Sequence, residues 1–264
     1  MSQSGETADT LAALRYCTGK AKKIVSLTNV SESSISRESD CSLPILAGIE
    51  IGVASTKAFT CQLSVLFALA IKASSDLEKI SNEEQMNIYS EAIKIPSLIN
   101  QILDEKDSFS ALATKLSEAR DVLFLGRGLL YPLALEGALK LKEISYIHAE
   151  AYASGELKHG PIALIDKSVP VIILTPKDKL FDKNISNIQE VAARGGKVVL
   201  ISDKLGIDTI GEKYWNIIEL PKTIDTLNPL LYAIAAQLIA YYTAVAKGTD
   251  VDQPRNLAKS VTVE

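Results

Sequence analysis

The chain has 264 residues, 47% hydrophobic and 23% charged, within the range of an ordinary soluble globular protein with room for one or two domains. Its 28 basic and 32 acidic residues leave a net charge of −4, so general nucleic-acid or anionic-membrane binding is not expected. Cys17, Cys41 and Cys61 and the 2 histidines form no metal-binding spacing, and an odd cysteine count without a secretory leader fits a reducing cytoplasm.

Residues 2–7, Ser2-Gln3-Ser4-Gly5-Glu6-Thr7, run into a good helix former at 8–15, and 23–28 read as a buried strand. The Ser/Glu-rich stretch 29–40 reads as loop with a short helix, and 44–47 as a weaker strand. Apolar residues recur at helical spacing over 56–72. From 81 to 120 the pattern is helical and charged, broken at Pro96, as suits a connector. A second unit starts at Asp121 with a strand at 122–125, then Gly126-Arg127-Gly128. A helix over 132–146 with proline near its start follows. Strands at 171–174, 197–201 and 215–220 alternate with helices at 185–193 and 227–246, which implies a parallel sheet covered on both faces. Apolar stretches such as 169–174 are too short to span a bilayer and read as buried strands. A polar tail, 247–264, carries Pro254.

The two halves repeat weakly. Residues 22–29 resemble 196–203, and each segment follows a loop and a helix: the loop is 2–7 in the first half and 175–178 in the second. In the second half a strand, a helix and another strand precede that loop, so the first half is expected to lack an opening strand, helix and strand. A doubly wound sheet without those interior strands would leave paired edges open and apolar faces uncovered, and the 2–7 loop would lose its anchor, predicting a destabilised first half and weak phosphate binding. The second half should fold alone.

Several groups suit chemistry. The hydroxyls and amide of residues 2–7 precede a helix start, where unpaired N–H groups and the dipole favour phosphate; a simple N-cap at Ser4 explains the pattern equally well. Gly52-Val53-Ala54-Ser55-Thr56-Lys57 is a second small-residue loop before a helix. Gly126-Arg127-Gly128 is no dinucleotide fingerprint, because Tyr131 stands where the third glycine belongs. Glu136, Lys140 and Glu143 share one helix face, as a proton-shuttling carboxylate beside a lysine or as a solvated ion-pair face. His159, before Gly160 and Pro161, sits in a fixed turn and suits proton transfer, whereas His148 suits a helix C-cap. Lys259 near the end of the chain is either solvated or a Schiff-base amine.

Five stretches coincide with one family: Ser2-Gln3-Ser4-Gly5-Glu6-Thr7-Ala8-Asp9-Thr10, the loop from Gly52 running on to Thr60, Ala134-Leu135-Glu136-Gly137-Ala138-Leu139-Lys140-Leu141-Lys142-Glu143 running on to Tyr146, Gly155-Glu156-Leu157-Lys158-His159-Gly160-Pro161, and Asp252-Gln253-Pro254-Arg255-Asn256-Leu257-Ala258-Lys259 running on to Glu264. Together they resemble the glucosamine-6-phosphate synthases, the glutamine–fructose-6-phosphate aminotransferases (isomerizing). The resemblance implies an α/β chain of two flavodoxin-like, doubly wound parallel-sheet sugar isomerase (SIS) domains, the first incomplete at its N-terminus. It divides the chain into a partial first domain (1–80), a helical connector (81–120), a second domain (121–246) and a tail entering the active site (247–264). It implies conversion of fructose 6-phosphate to glucosamine 6-phosphate, the first step of hexosamine and UDP-N-acetylglucosamine synthesis, in a cytoplasmic homodimer without cofactor or metal. By motif, Ser2, Gln3, Ser4 and Thr7 hold the phosphate, and Val53, Ser55 and Ala258 contact the sugar. Glu143 is the base with Lys140 beside it, His159 assists ring opening and reaches the neighbouring subunit's site, and Lys259 forms the Schiff base.

The family begins with a glutaminase domain whose nucleophile is an N-terminal cysteine. Here Ser2 follows Met1, so that domain is read as missing, with the opening of the first SIS domain, and at most isomerase or sugar-phosphate binding is expected of the chain alone. SIS domains also occur in regulators that sense phosphosugars without turning them over. A non-catalytic binding module and an inactive gene fragment are therefore the competing readings, with Glu143, His159 and Lys259 the residues a sensor would not need.

Overall fold

The computed structural model describes residues 1–211 and 213–259. The chain falls into two compact units, one of residues 1–85 with the segment that starts at Asp252, the other of residues 86–251.

The first unit holds α1 (Ala8–Cys17), β1 (Val25–Thr28), α2 (Ser34–Glu38), β2 (Cys41–Pro44) and α3 (Lys57–Asp76); α4 (Asn82–Ala92) crosses the division. β1 and β2 are parallel, Val25 opposite Cys41 and Thr28 opposite Pro44. The strand expected at 44–47 lies earlier: Pro44 ends it, and Leu46 adopts a left-handed φ of 54° with its side chain exposed, which no strand accommodates. The core is small, Leu27, Ile45 and Ala58 with Leu43, Cys61 and Val65 against them. Of the 20 residues of α3 only Ala58 and Ile71 are buried.

The second unit opens with α5 (Ile95–Asp104), whose first turn takes Pro96, and α6 (Lys106–Leu116). There follow β3 (Asp121–Gly126), α7 (Leu130–Ser145), β4 (His148–Ala153), β5 (Pro170–Leu174), α8 (Phe181–Ala193), β6 (Lys197–Asp203), α9 (Lys204–Ile210), β7 (Asn216–Leu220) and α10 (Asn228–Lys247). The sheet is wholly parallel in the order β4-β3-β5-β6-β7, the flavodoxin-like doubly wound arrangement. Every residue of β5 is buried, as expected of an apolar run covered on both faces. On one face Leu123, Leu125, Ile173, Ile188, Val191 and Leu200 form the core; α10 packs against α7, α6 and α5. Gly137 lets α7 approach, because a Cβ there would stand 2.8 Å from the Phe124 ring and 3.2 Å from Ala236.

By length and composition α3 and α10 could cross a membrane, which an eye for unbroken apolar runs misses because scattered Ser, Thr and Gln interrupt them. α10 spends its apolar surface inside the second unit, with 11 residues buried. The halves do repeat: Ser2 bridges to Thr28 with its amide donating to the Leu27 carbonyl at 3.0 Å, and Thr175 donates to Ile201 at the same 3.0 Å. Thus β1–β2 corresponds to β6–β7, and α3 to α10.

Candidate functional site

In the first unit, residues 2–7 are tied down on two sides. Ser2 N–H donates to Leu27, Asn29 N–H to the Gln3 carbonyl, and Ile35 N–H to the Gly5 carbonyl at 3.0 Å. Glu6 accepts from Ser34 N–H at 2.7 Å, and that bond holds its carboxyl below the ordinary carboxylate range. The expected loss of anchorage is therefore made good by β1 and the start of α2. Within the loop the Ser2 hydroxyl accepts from Gly5 N–H at 3.0 Å and bonds the Thr7 hydroxyl at 2.8 Å. Gly5 has φ +69°, and a Cβ on it would meet Ser33 Oγ at 2.0 Å, so the turn requires glycine. α1 begins at Ala8 with no side-chain cap; Ser4 bonds Glu6 N–H instead, at 3.2 Å. Hydroxyls, an amide (Gln3) and an uncapped helix start are the groups that an anion site would use.

In the matching loop of the second unit a side-chain carboxylate already takes backbone donors. There Asp203 accepts from Lys177 N–H at 2.6 Å and Gly206 N–H at 3.1 Å. Its counterpart Asn29 turns instead to Ala47 N–H and the Gly48 carbonyl.

The second small-residue loop lies beside the tail within the first unit. Val53 N–H donates to the Asp252 carbonyl at 2.8 Å. Val53 and Ser55 are half-buried and Ala258 exposed. The Lys259 ammonium donates to Glu50 Oε2 and to the Gly52 carbonyl, both at 2.7 Å. The Glu50 side chain is 4% exposed, and its other oxygen accepts from Thr56 N–H at 2.8 Å and Ala58 N–H at 3.2 Å, serving the start of α3 that Thr56 itself does not cap. Burial pushes the Glu50 carboxyl up, but the bonds from Lys259, Thr56 and Ala58 outweigh it and hold it below its ordinary value. Glu50 lies outside every motif of the sequence. Its signal is a lone acid in the apolar stretch 45–54, where a charge must have a partner.

In the second unit, Lys140 lies between two carboxylates on α7, its ammonium 2.5 Å from Glu143 and 3.7 Å from Glu136. Their side chains are 5%, 21% and 14% exposed respectively, so this is no solvated ion-pair face. Burial raises the Glu136 carboxyl, against the pull of Lys140. His159 ends the 3-10 helix Ser154–His159, exposed, before Gly160 at φ +140°. His148 is no helix cap. It opens β4 with Nδ1 2.7 Å from Asp121, and α7 ends on left-handed Tyr146. A cavity of about 690 Å³ walled by Ile102, Ile207, Tyr214 and Ile217 contains none of these groups. Among the described residues no cluster of His, Cys, Asp and Glu could hold a metal.

Ser2, Gln3, Ser4, Thr7, Val53, Ser55, Ala258 and Lys259 thus belong to the first unit, and Lys140, Glu143 and His159 to the second. Over its full 264 residues the chain is 56% identical to the glutamine–fructose-6-phosphate aminotransferase (isomerizing) of Brucella abortus biovar 1 (strain 9-941) and 58% identical to that of Bradyrhizobium diazoefficiens. It spans 44% and 43% of their lengths, less than half of the curated relatives it matches. Among solved structures, the C-terminal domain of glucosamine-fructose-6-phosphate aminotransferase from Francisella tularensis is 45% identical, with a TM-score of 0.93 over 96% of this chain and 71% of that one. A putative tagatose-6-phosphate ketose/aldose isomerase from Clostridium novyi NT, 22% identical, shares the fold at a TM-score of 0.80 over 100% of this chain and 70% of that one. The SIS domain model matches residues 1–72 and 115–247, taking in the hydroxyl loop and the five-stranded sheet alike, and the chain belongs to the SIS domain family.

Proposed function

We propose that the chain is the sugar-isomerase part of a glutamine–fructose-6-phosphate aminotransferase. It binds fructose 6-phosphate and by itself carries out at most the isomerase step. The identity over all 264 residues of this chain to relatives so named carries this reading, and the uncapped hydroxyl loop supports it.

Ser2, Gln3, Ser4 and Thr7 take the phosphate, a remote handle whose binding energy orients the reacting carbons. Val53, Ser55 and Ala258 contact the sugar. Glu143 removes a proton from C1 of the ketose and returns it to C2. Lys140, its ion-pair partner, orients the carboxylate before it takes the proton and after it has returned it. His159 assists ring opening in a homodimer. Lys259 condenses with the C2 carbonyl: the C–N bond forms and the carbonyl oxygen leaves as water; water adding back at C2 breaks that bond, frees the amine and restores the open-chain ketose on which Glu143 acts.

The test is incubation with fructose 6-phosphate and assay for glucose 6-phosphate. Glu143→Gln is expected to lower turnover by about 10²-fold or more while leaving sugar-phosphate binding intact. Equal turnover in the variant refutes the role of Glu143. Binding without turnover in the unaltered chain refutes catalysis by this chain alone.

A further inference from the structure

Lys259 is held by a group that belongs to none of the sequence motifs. The Glu50 carboxylate divides its two oxygens between separate tasks. Oε1 accepts from the N–H groups of Thr56 and Ala58 at the start of α3, and Oε2 accepts from the Lys259 ammonium at 2.7 Å. The Gly52 carbonyl takes a second proton of the same ammonium. Two of three donors are thereby fixed on a side chain 26% exposed, while the acid is 4% exposed. A buried carboxylate without its cation is strongly unfavourable, so the pair is a constraint on where the tail lies and more than a surface contact.

We propose that Glu50 is the positioning residue for Lys259: through one oxygen it is fixed to the α3 helix start, and through the other it holds the tail amine against the 52–56 loop, in the place from which that amine meets a ketose carbonyl. This rests on the reading of Lys259 as the Schiff-base amine. The helix start is the fixed end, because its two N–H groups set the plane of the carboxylate. A lysine on an unheld tail samples many rotamers, and each one that must be frozen at the moment of attack slows the condensation. Fixing it beforehand removes that cost from the reacting state.

The division of the two oxygens supplies the test. Glu50→Gln can keep a carbonyl facing Thr56 and Ala58 while turning an NH₂ toward the lysine, so the helix start is retained and the tail partner lost. The first measurement uses no sugar. The full chain is treated with a trace of acetic anhydride, and Lys259 acetylation is compared with that of the exposed Lys72 by peptide mass spectrometry. Lys259 is expected to be protected in the unaltered chain and severalfold more reactive in E50Q, with Lys72 unchanged. Equal reactivity of Lys259 in both overturns the proposal. The second measurement is borohydride trapping with fructose 6-phosphate. E50Q is expected to lower the trapping rate at saturating sugar about tenfold with the half-saturating concentration unchanged. A rate per folded molecule that does not change assigns Glu50 a purely structural role and overturns its positioning role. If the unaltered chain is never trapped, the Schiff-base reading falls, and the acetylation arm still decides whether Glu50 holds the tail. Should E50Q fail to fold, E50D keeps the charge but withdraws it by one methylene and is read in the same way.

Discussion

Lys140 lies between Glu136 and Glu143 with almost none of its side chain in water. Removing it leaves two half-buried carboxylates with no cation between them, so Lys140→Ala is expected to cost on the order of 2–4 kcal/mol in denaturant unfolding. Glu136 has the opposite character. Burial raises its carboxyl above 4.5, so the folded protein keeps that proton to higher pH than the unfolded chain does. Stability present below pH 4.5 is then lost as pH rises through the raised folded value. Glu136→Gln is therefore expected to melt higher than the unaltered chain near neutral pH, with the gap closing in acid. At Gly5 the backbone is left-handed and Ser33 fills the space a Cβ would need. Gly5→Ala is expected to lower stability by about 1–3 kcal/mol and to abolish protection of the loop by phosphate in thermal melts. The sequence showed that Glu136, Lys140 and Glu143 share a face. Their burial was not legible, because it depends on what α7 packs against. Glu50 was invisible for the same reason: its partner lies 209 positions away in sequence.

At the scale of elements, periodicity identified the long pieces, and the misses have physical causes. β5 and β6 are unbroken branched-aliphatic runs, and both were read. β4, His148-Ala149-Glu150-Ala151-Tyr152-Ala153, sits at the sheet edge with Ala149 its only buried residue, so it carries no apolar signature. α9 has 7 residues and depends on Asp203 at its start, a tertiary detail. Of the two helices long and apolar enough to cross a bilayer, α10 is a core helix and α3 leaves most of its surface uncovered. Tyr232 on α10 is 1% exposed, and its hydroxyl has no hydrogen-bond partner among the described residues. Tyr232→Phe removes that unsatisfied group and is expected to raise stability by up to about 1 kcal/mol in urea unfolding.

At the scale of the whole chain, stability should be uneven. The second unit has a five-stranded sheet with buried apolar residues on both faces, whereas the first has two strands and few buried apolar residues, clustered on Leu27, Ile45 and Ala58. Calorimetry is expected to show two transitions, the first unit melting at the lower temperature, and amide exchange should be slowest in β5 and β6. Residues 86–251 expressed alone should retain the upper transition. The repeat was the part of this organisation legible in the sequence, since 22–29 and 196–203 align without gaps and the matching Ser2 and Thr175 amides bear the alignment out.

That correspondence gives Asp203 a meaning beyond its own hydrogen bonds. Two halves built on one pattern need not differ in their loops for only one of them to offer its donors; it is enough that the chain supplies a permanent tenant to the other. Asp203 carries a negative oxygen to the amide an incoming phosphate would seek, and Asn29, one atom different in kind, looks the other way. Specialisation of twin lobes can thus turn on a carboxylate against a carboxamide, with the surrounding scaffold untouched.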